Sequence, residues 1–295
     1  MRTTRLLLAA GLLASSVAAC SDTTPRSAGP AASSSAPSTD PFATPSLSDP
    51  GQTASPAPTG RASRAIYWVR DTGPRTGVRL YREFHSRPAT TGVVKDAVEA
   101  MLTVSPLDDD YTSLWPEGTA VRAVRIDKAT AYVDLTRDAT SRRQGSAAER
   151  ATLQQLVYTV TAAAPAVSAV QLMIEGKQVE TLWGHSDTSR PMRREMAAAI
   201  LGPVWILSPA TVKRGGTVGG EASVFEATVS WEWVLAGKVV RKGFSNAAEG
   251  APGRGKWSAP VDVPPGNYTF RAFESSAEDG RPIFIDDKPV RVTAA

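Results

Sequence analysis

Residues Gly250-Ala251-Pro252-Gly253-Arg254-Gly255-Lys256 have the G-x-x-x-x-G-K spacing with which a glycine-rich loop and a lysine cradle phosphates. Position 257 is Trp, not the Ser or Thr that would hold magnesium, and Lys256–Val261 reads as a strand where a phosphate loop needs a helix N-terminus. Neither ATP nor GTP binding is expected. The chain has two histidines, His85 and His185, far apart in sequence. His185-Ser186-Asp187 contains the residue types of a hydrolytic triad. Adjacent side chains point apart, however, and no G-x-S-x-G elbow is present, so a loop histidine without a catalytic role is favoured. Asp108-Asp109-Asp110 offers oxygen ligands for calcium, yet lacks the glycine and distal glutamate of a calcium loop, and a solvated acidic loop is the simpler expectation. Asp286-Asp287 reads as a turn by the same reasoning. Glu226 and Glu278-Asp279-Gly280 read as residues that fix loops, not as a carboxylate pair. No catalytic residue, metal ligand or cofactor is therefore assigned.

The single cysteine, Cys20, rules out an intramolecular disulfide, so the folded parts must be held by their cores. Cys20 follows a positive segment (Arg2, Arg5), a short apolar run from Leu6 to Ala14, and the small residues Val17-Ala18-Ala19. The apolar run is too short for a membrane span. This arrangement resembles a bacterial lipoprotein signal, in which the cysteine is lipidated and becomes the new N-terminus. The alternative is an ordinary signal peptide with an incidental cysteine. From Ser21 to about Arg61 the chain is dominated by Ser, Thr, Pro, Ala and Gly, which cannot bury enough apolar surface to offset its ordering entropy, and reads as a disordered tether. The formal charge of +4 over 295 residues comes without the long Lys/Arg runs that would argue for nucleic acid.

Two stretches must supply the folded parts. Residues 62–195 read as strand, strand, helix, strand, strand, helix, strand, strand: two β-β-α units, with helices on one face of a sheet, in an α+β arrangement. Ala65–Val69 and Val78–Phe84 form the first strand pair. A helix begins near Thr91, with Val94, Ala97, Val98, Met101 and Leu102 on one side. Val121–Ile126 and Thr130–Leu135 form the second pair. A second helix follows, for which Ser146 and Glu149 have capping-box spacing and Leu153, Leu156, Val157 and Val160 form an apolar stripe ended by Ala164-Pro165. Val167–Ile174 and Gln178–Leu182 complete the set. After a linker at 196–202, residues 203–293 contain about seven short strands between turns, the pattern of an immunoglobulin-like sandwich. Val229, Trp231, Trp233 and Leu235 share one face of its longest strand, which makes the tryptophans core residues, with a ligand-stacking surface as the lesser reading.

Several segments resemble a known family in the right order: Trp115-Pro116-Glu117-Gly118-Thr119, Ala131-Tyr132-Val133-Asp134-Leu135, Gly145-Ser146-Ala147-Ala148-Glu149-Arg150, Leu156-Val157-Tyr158-Thr159 and Val170–Lys177. They are similar to the GerMN domain of sporulation and germination proteins. Val224–Val229, Gly250–Gly255 and Phe273–Gly280 resemble the immunoglobulin-like domain of bacterial spore germination proteins, a module that commonly follows GerMN. The resemblance implies a non-enzymatic, extracytoplasmic domain pair related to builders of envelope assemblies. It does not imply that the organism sporulates.

The expectation is a lipid-anchored protein on the outer face of the cell membrane, with residues 1–20 as signal and Cys20 as attachment point. It would bind an envelope protein or peptidoglycan. The alternatives are a wall-directed hydrolase using His185, Asp109 or Glu226, and an accessory lipoprotein signalling to a membrane sensor kinase.

Overall fold

The computed structural model describes residues 60–295 apart from Arg75 and Thr91. The signal segment, Cys20 and the tether up to residue 59 lie outside the described residues.

The first module opens with a long hairpin, β1 (Arg61–Asp71) and β2 (Val78–Pro88), paired antiparallel with Ala65 opposite Phe84. Helix α1 (Val93–Thr103) buries Val94, Ala97, Val98 and Met101, the stripe that its spacing predicts. Strands β3 (Val121–Asp127), β4 (Thr130–Leu135), β5 (Ala169–Ile174) and β6 (Lys177–Gln178) form a second sheet in that order. β4 and β5 run parallel, which a tight turn cannot achieve, and helix α2 (Ser146–Ala163) is the crossover between them. β5 and β6 are joined through Glu175 and Gly176, both with positive φ, the backbone that matches the twist of a two-residue hairpin. β6 is shorter than expected, because Leu182 and Trp183 turn into the core instead of extending the strand.

Helix α2 departs from the sequence expectation in two ways. It is buried all round from Ala151 to Thr161, not along one stripe. Its polar residues are used by neighbours: Gln155 Nε2 donates to the Tyr67 carbonyl at 2.8 Å, Tyr67 N donates to Thr159 Oγ1 at 3.2 Å, and Glu195 N donates to Gln154 Oε1 at 3.0 Å. The hairpin and the 193–195 segment thus cover what sequence alone reads as a wet face. The capping box is also absent. Gly145 occupies the cap position, and the wholly buried Glu149 accepts from the backbone N–H groups of His185 (2.9 Å) and Ser186 (3.1 Å).

A short helix α3 (Ala197–Ile200) leads into the second module. Its strands are β7 (Val204–Ile206), β8 (Thr211–Lys213), β9 (Thr217–Ala222), β10 (Thr228–Leu235), β11 (Lys238–Asn246), β12 (Gly255–Pro260), β13 (Gly266–Ser275) and β14 (Pro282–Thr293). They make a five-stranded sheet, β11-β10-β13-β14-β8, facing a three-stranded one, β12-β9-β7. Between the sheets pack Trp231, Trp233, Trp257 and Phe270, with the Trp233 and Phe270 ring centroids 4.7 Å apart. Trp231 and Trp233 are both core residues, and Leu235, at the turn, is exposed. Gly220 is where β7 and β9 come closest. A Cβ there would lie 1.7 Å from the Trp205 carbonyl oxygen, so only glycine lets the two strands pair.

Candidate functional site

The two modules meet over a buried polar junction, and four of the acidic residues considered above, Asp108, Asp110, Asp286 and Asp287, are in it. In β2, Tyr81, Glu83 and His85 alternate inward. Glu83 accepts from the backbone N–H groups of Leu107 (2.9 Å) and Asp108 (3.0 Å), and its Oε2 lies 3.0 Å from His85 Nε2. Asp108 holds Lys288 Nζ, from β14, at 2.9 Å. Next to it, the wholly buried Asp286 accepts from Tyr111 Oη and from the backbone N–H of Ile206, both at 2.6 Å. Arg70 completes the cluster: it donates to the Ile285 carbonyl at 2.6 Å and stands 2.5 Å from Asp110, 3.4 Å from Asp287 and 3.6 Å from Asp286.

These contacts correct two expectations. Asp108 is not in a solvated loop, and Asp286 is not in a turn but in the middle of β14. Burial of unpaired charge is costly, and each carboxylate here is offset by a cation and by hydrogen-bond donors. Desolvation pushes the Asp286 carboxyl up to about 6, against the pull of Lys288 and of its hydrogen bonds from Tyr111 and Ile206. The Tyr111 hydroxyl is driven well above its ordinary range, first by burial and then by the Asp286 charge.

A second cluster closes the other side. Trp205 belongs to β7 yet packs in the core of the first module, between two guanidiniums: Arg254 lies 4.0 Å and Arg82 5.0 Å from its ring centroid. Arg254 donates to the Gly202 carbonyl at 2.8 Å, and Arg82 pairs with Glu221 at 2.7 Å. Arg254 is the arginine of the G-x-x-x-x-G-K segment. That segment runs into strand β12, not a helix, and it serves this junction.

The remaining candidates do not converge. His185 is exposed and its Nε2 faces the Gln144 carbonyl at 3.1 Å, while the Asp187 carboxylate accepts from Ser189 N and Oγ. Asp109, Glu226 and Glu278 are exposed and separate. Among the described residues no group of His, Cys, Asp and Glu has metal-holding geometry. Sequence reasoning missed Arg70, Glu83, Tyr111, Lys288 and Arg254. The alternation of Tyr81, Glu83 and His85 was the one available signal, since it places a carboxylate on the inward side of a strand. A cleft of about 330 Å³ opens beside the junction, lined by Arg82, Phe84, Leu107, Leu207, Pro209 and Lys288 among others, with Leu107 67% exposed at its mouth.

Family models match both modules. The family model for sporulation and spore germination (Germane) matches residues 65–180, and that for the immunoglobulin-like domain of bacterial spore germination (Gmad2) matches residues 203–281. Among solved structures, the first GerMN domain of the sporulation protein GerM from Bacillus subtilis aligns at 22% identity and TM-score 0.38, over 45% of this chain and 98% of that one. The tandem GerMN domains of the same protein align at 16% identity and TM-score 0.40, over 63% of this chain and 59% of that one. No curated protein matches. The chain thus carries a region that matches the sporulation and spore germination family, followed by a region that matches the immunoglobulin-like domain of bacterial spore germination.

Proposed function

We propose that this protein is a non-enzymatic extracytoplasmic lipoprotein, anchored in the cell membrane through Cys20, whose two modules form one preset binding scaffold for an envelope protein or peptidoglycan. The observation that carries the scaffold reading is the junction. Two domains joined only by a linker would keep their charges in water, whereas here the buried Asp108 and Asp286 and the half-buried Lys288 meet across the contact, so the mutual orientation is fixed by pairs that are expensive to break. The acidic residues best placed to form an active site are used in that contact. The Cys20 context supports the anchor, because a diacylglyceryl group supplies two chains, enough for stable attachment. Among the described residues no helix is long and apolar enough to cross a membrane.

The test uses the full chain in intact cells, with a photoreactive residue in place of Leu107 at the mouth of the cleft. Reproducible crosslinking to one envelope protein or to wall fragments supports the scaffold, and a sensor kinase ectodomain as that protein would select the signalling alternative. A Cys20→Ala protein that stays in the membrane fraction overturns the anchor. Turnover of peptidoglycan fragments that His185→Ala abolishes overturns the non-enzymatic reading.

A further inference from the structure

The five-stranded sheet leaves one long edge open. β11 is laddered to β10 alone, and among the described residues nothing pairs with Lys238–Ser245 on its other side. In an antiparallel ladder alternate residues turn their N–H and C=O groups away from a single neighbour, so β11 presents a row of unused main-chain partners. The register slips once, between Trp233 and Val234, which leaves Arg241–Asn246 as the regular stretch.

The two faces of that stretch differ. On the core side, Gly243 lies under the Trp231 ring and Ser245 Oγ accepts from Trp231 Nε1 at 3.0 Å. On the outer side stand Lys242 and Phe244, the latter 70% exposed, with Val240 just before them. Glu232 is directly opposite Lys242, but its carboxylate is directed to Arg271 at 3.5 Å, and neither Lys238 nor Lys242 has an ion-pair partner among the described residues. The edge strand of the other module is different: Arg122 and Arg125 of β3 are matched by Asp134, Glu175 and Asp127.

A second copy of the chain fits this edge poorly. Antiparallel self-pairing centred on Lys242 sets lysine against lysine, which is destabilising. Centred on Phe244, it places Lys242 opposite Asn246 and leaves both charges uncompensated.

We propose that β11 is a docking edge for an extended acidic segment of a partner protein. The segment adds as a sixth strand, with a carboxylate opposite Lys242 and an apolar side chain against Phe244. This rests on the scaffold reading above and names the chemistry of its partner.

The probe is a fluorescently labelled synthetic peptide of Val-Thr-Glu-Thr repeats, which puts Val and Glu on one face, titrated onto the full chain with polarisation as readout. Binding should weaken at least about tenfold when the peptide backbone is N-methylated, when Lys replaces its Glu, and in the double variant Lys238→Glu/Lys242→Glu. Phe244→Ser should weaken it with Tm unchanged. Equal binding of the N-methylated peptide overturns the proposal in favour of a charge-only attraction, the kind a polyanionic wall polymer would share. A dimer that Phe244→Asp dissociates overturns it in favour of self-association, and no binding overturns it outright. If the peptide fails while Leu107 still crosslinks a partner, the β11 proposal falls and the scaffold stands.

Discussion

In the N-terminal α+β module, Glu83, His85, Asp108, Glu149, Gln155 and Gln171 are buried beside apolar neighbours, whereas the sandwich buries one polar side chain among its described residues, Asp286. The two modules therefore specify themselves differently. The first depends on directional bonds between distant segments, as when Glu149 collects the N–H groups of residues 185 and 186. The second depends on ring packing, with Trp233 in contact with both Phe270 and Tyr268. Their junction follows the rule of the first module, because the sandwich contributes its single buried carboxylate and a lysine to a site built from hydrogen bonds and ion pairs. The contrast implies that the junction holds orientation more than it adds stability, since buried pairs recover little beyond their own desolvation.

Four measurements bear on this contrast. Trp233→Ala should cost about 3–5 kcal/mol in urea unfolding, with a loss that does not vary with pH. A loss that grew with pH would mean that the sandwich core is coupled to titrating groups and would break the contrast.

Asp286 should give the next largest effect, and its sign is defined. Its folded-state pKa is raised to about 6 from an ordinary 3.8, so the stability associated with its protonated form is full below about pH 4 and lost as pH rises through 6. This amounts to about 3 kcal/mol. Asp286→Asn should be less stable at low pH yet lack that decline, as read from Tm between pH 4 and 7. An unchanged slope in the variant would mean that the titration belongs elsewhere.

Glu149→Gln should cost about 1–3 kcal/mol, because an amide can accept from only one of the two N–H groups that the carboxylate now satisfies. The loop at 182–188 should then exchange its amide hydrogens faster while the sandwich is unaffected. Protection lost equally in both modules would show that they unfold as one unit. The smallest effect is expected from Lys242→Glu, within about 0.5 kcal/mol, since the side chain is exposed. A larger loss would mean that the β11 edge is structural.

Much of this architecture was legible in local sequence. Period-two alternation located β10, and turn residues bounded it and the other strands of the sandwich, because strand faces and hairpins are decided within a few positions. The existence of α2 was legible, but its complete burial was not. Gln154, Gln155 and Thr159 are polar, and only the arrival of the β1–β2 hairpin and the 193–195 segment makes that face interior. The junction was illegible for the same reason in stronger form. Asp108 and Lys288 are 180 positions apart, and Tyr111 and Asp286 are 175 apart, so no spacing rule connects them. Glu149 was misread because a correct local motif was overridden by a better use of the carboxylate at longer range.

The position of β14 has a consequence for how the protein comes into being. β14 is the last element of the described chain, yet it lies inside the five-stranded sheet between β13 and β8, and it carries Asp286 and Lys288 into the first module. Synthesis proceeds from the N-terminus and domains tend to fold as they emerge. Here the first module cannot be completed in that order: its core waits for Trp205, and the cationic partner of Asp108 arrives only with the final strand. Until then Asp108 lacks its cationic partner, and the half-made protein stays open to proteases. A nascent chain stalled before residue 282 should therefore be cleaved rapidly near the β1–β2 hairpin, and the same hairpin should become resistant once β14 has been added.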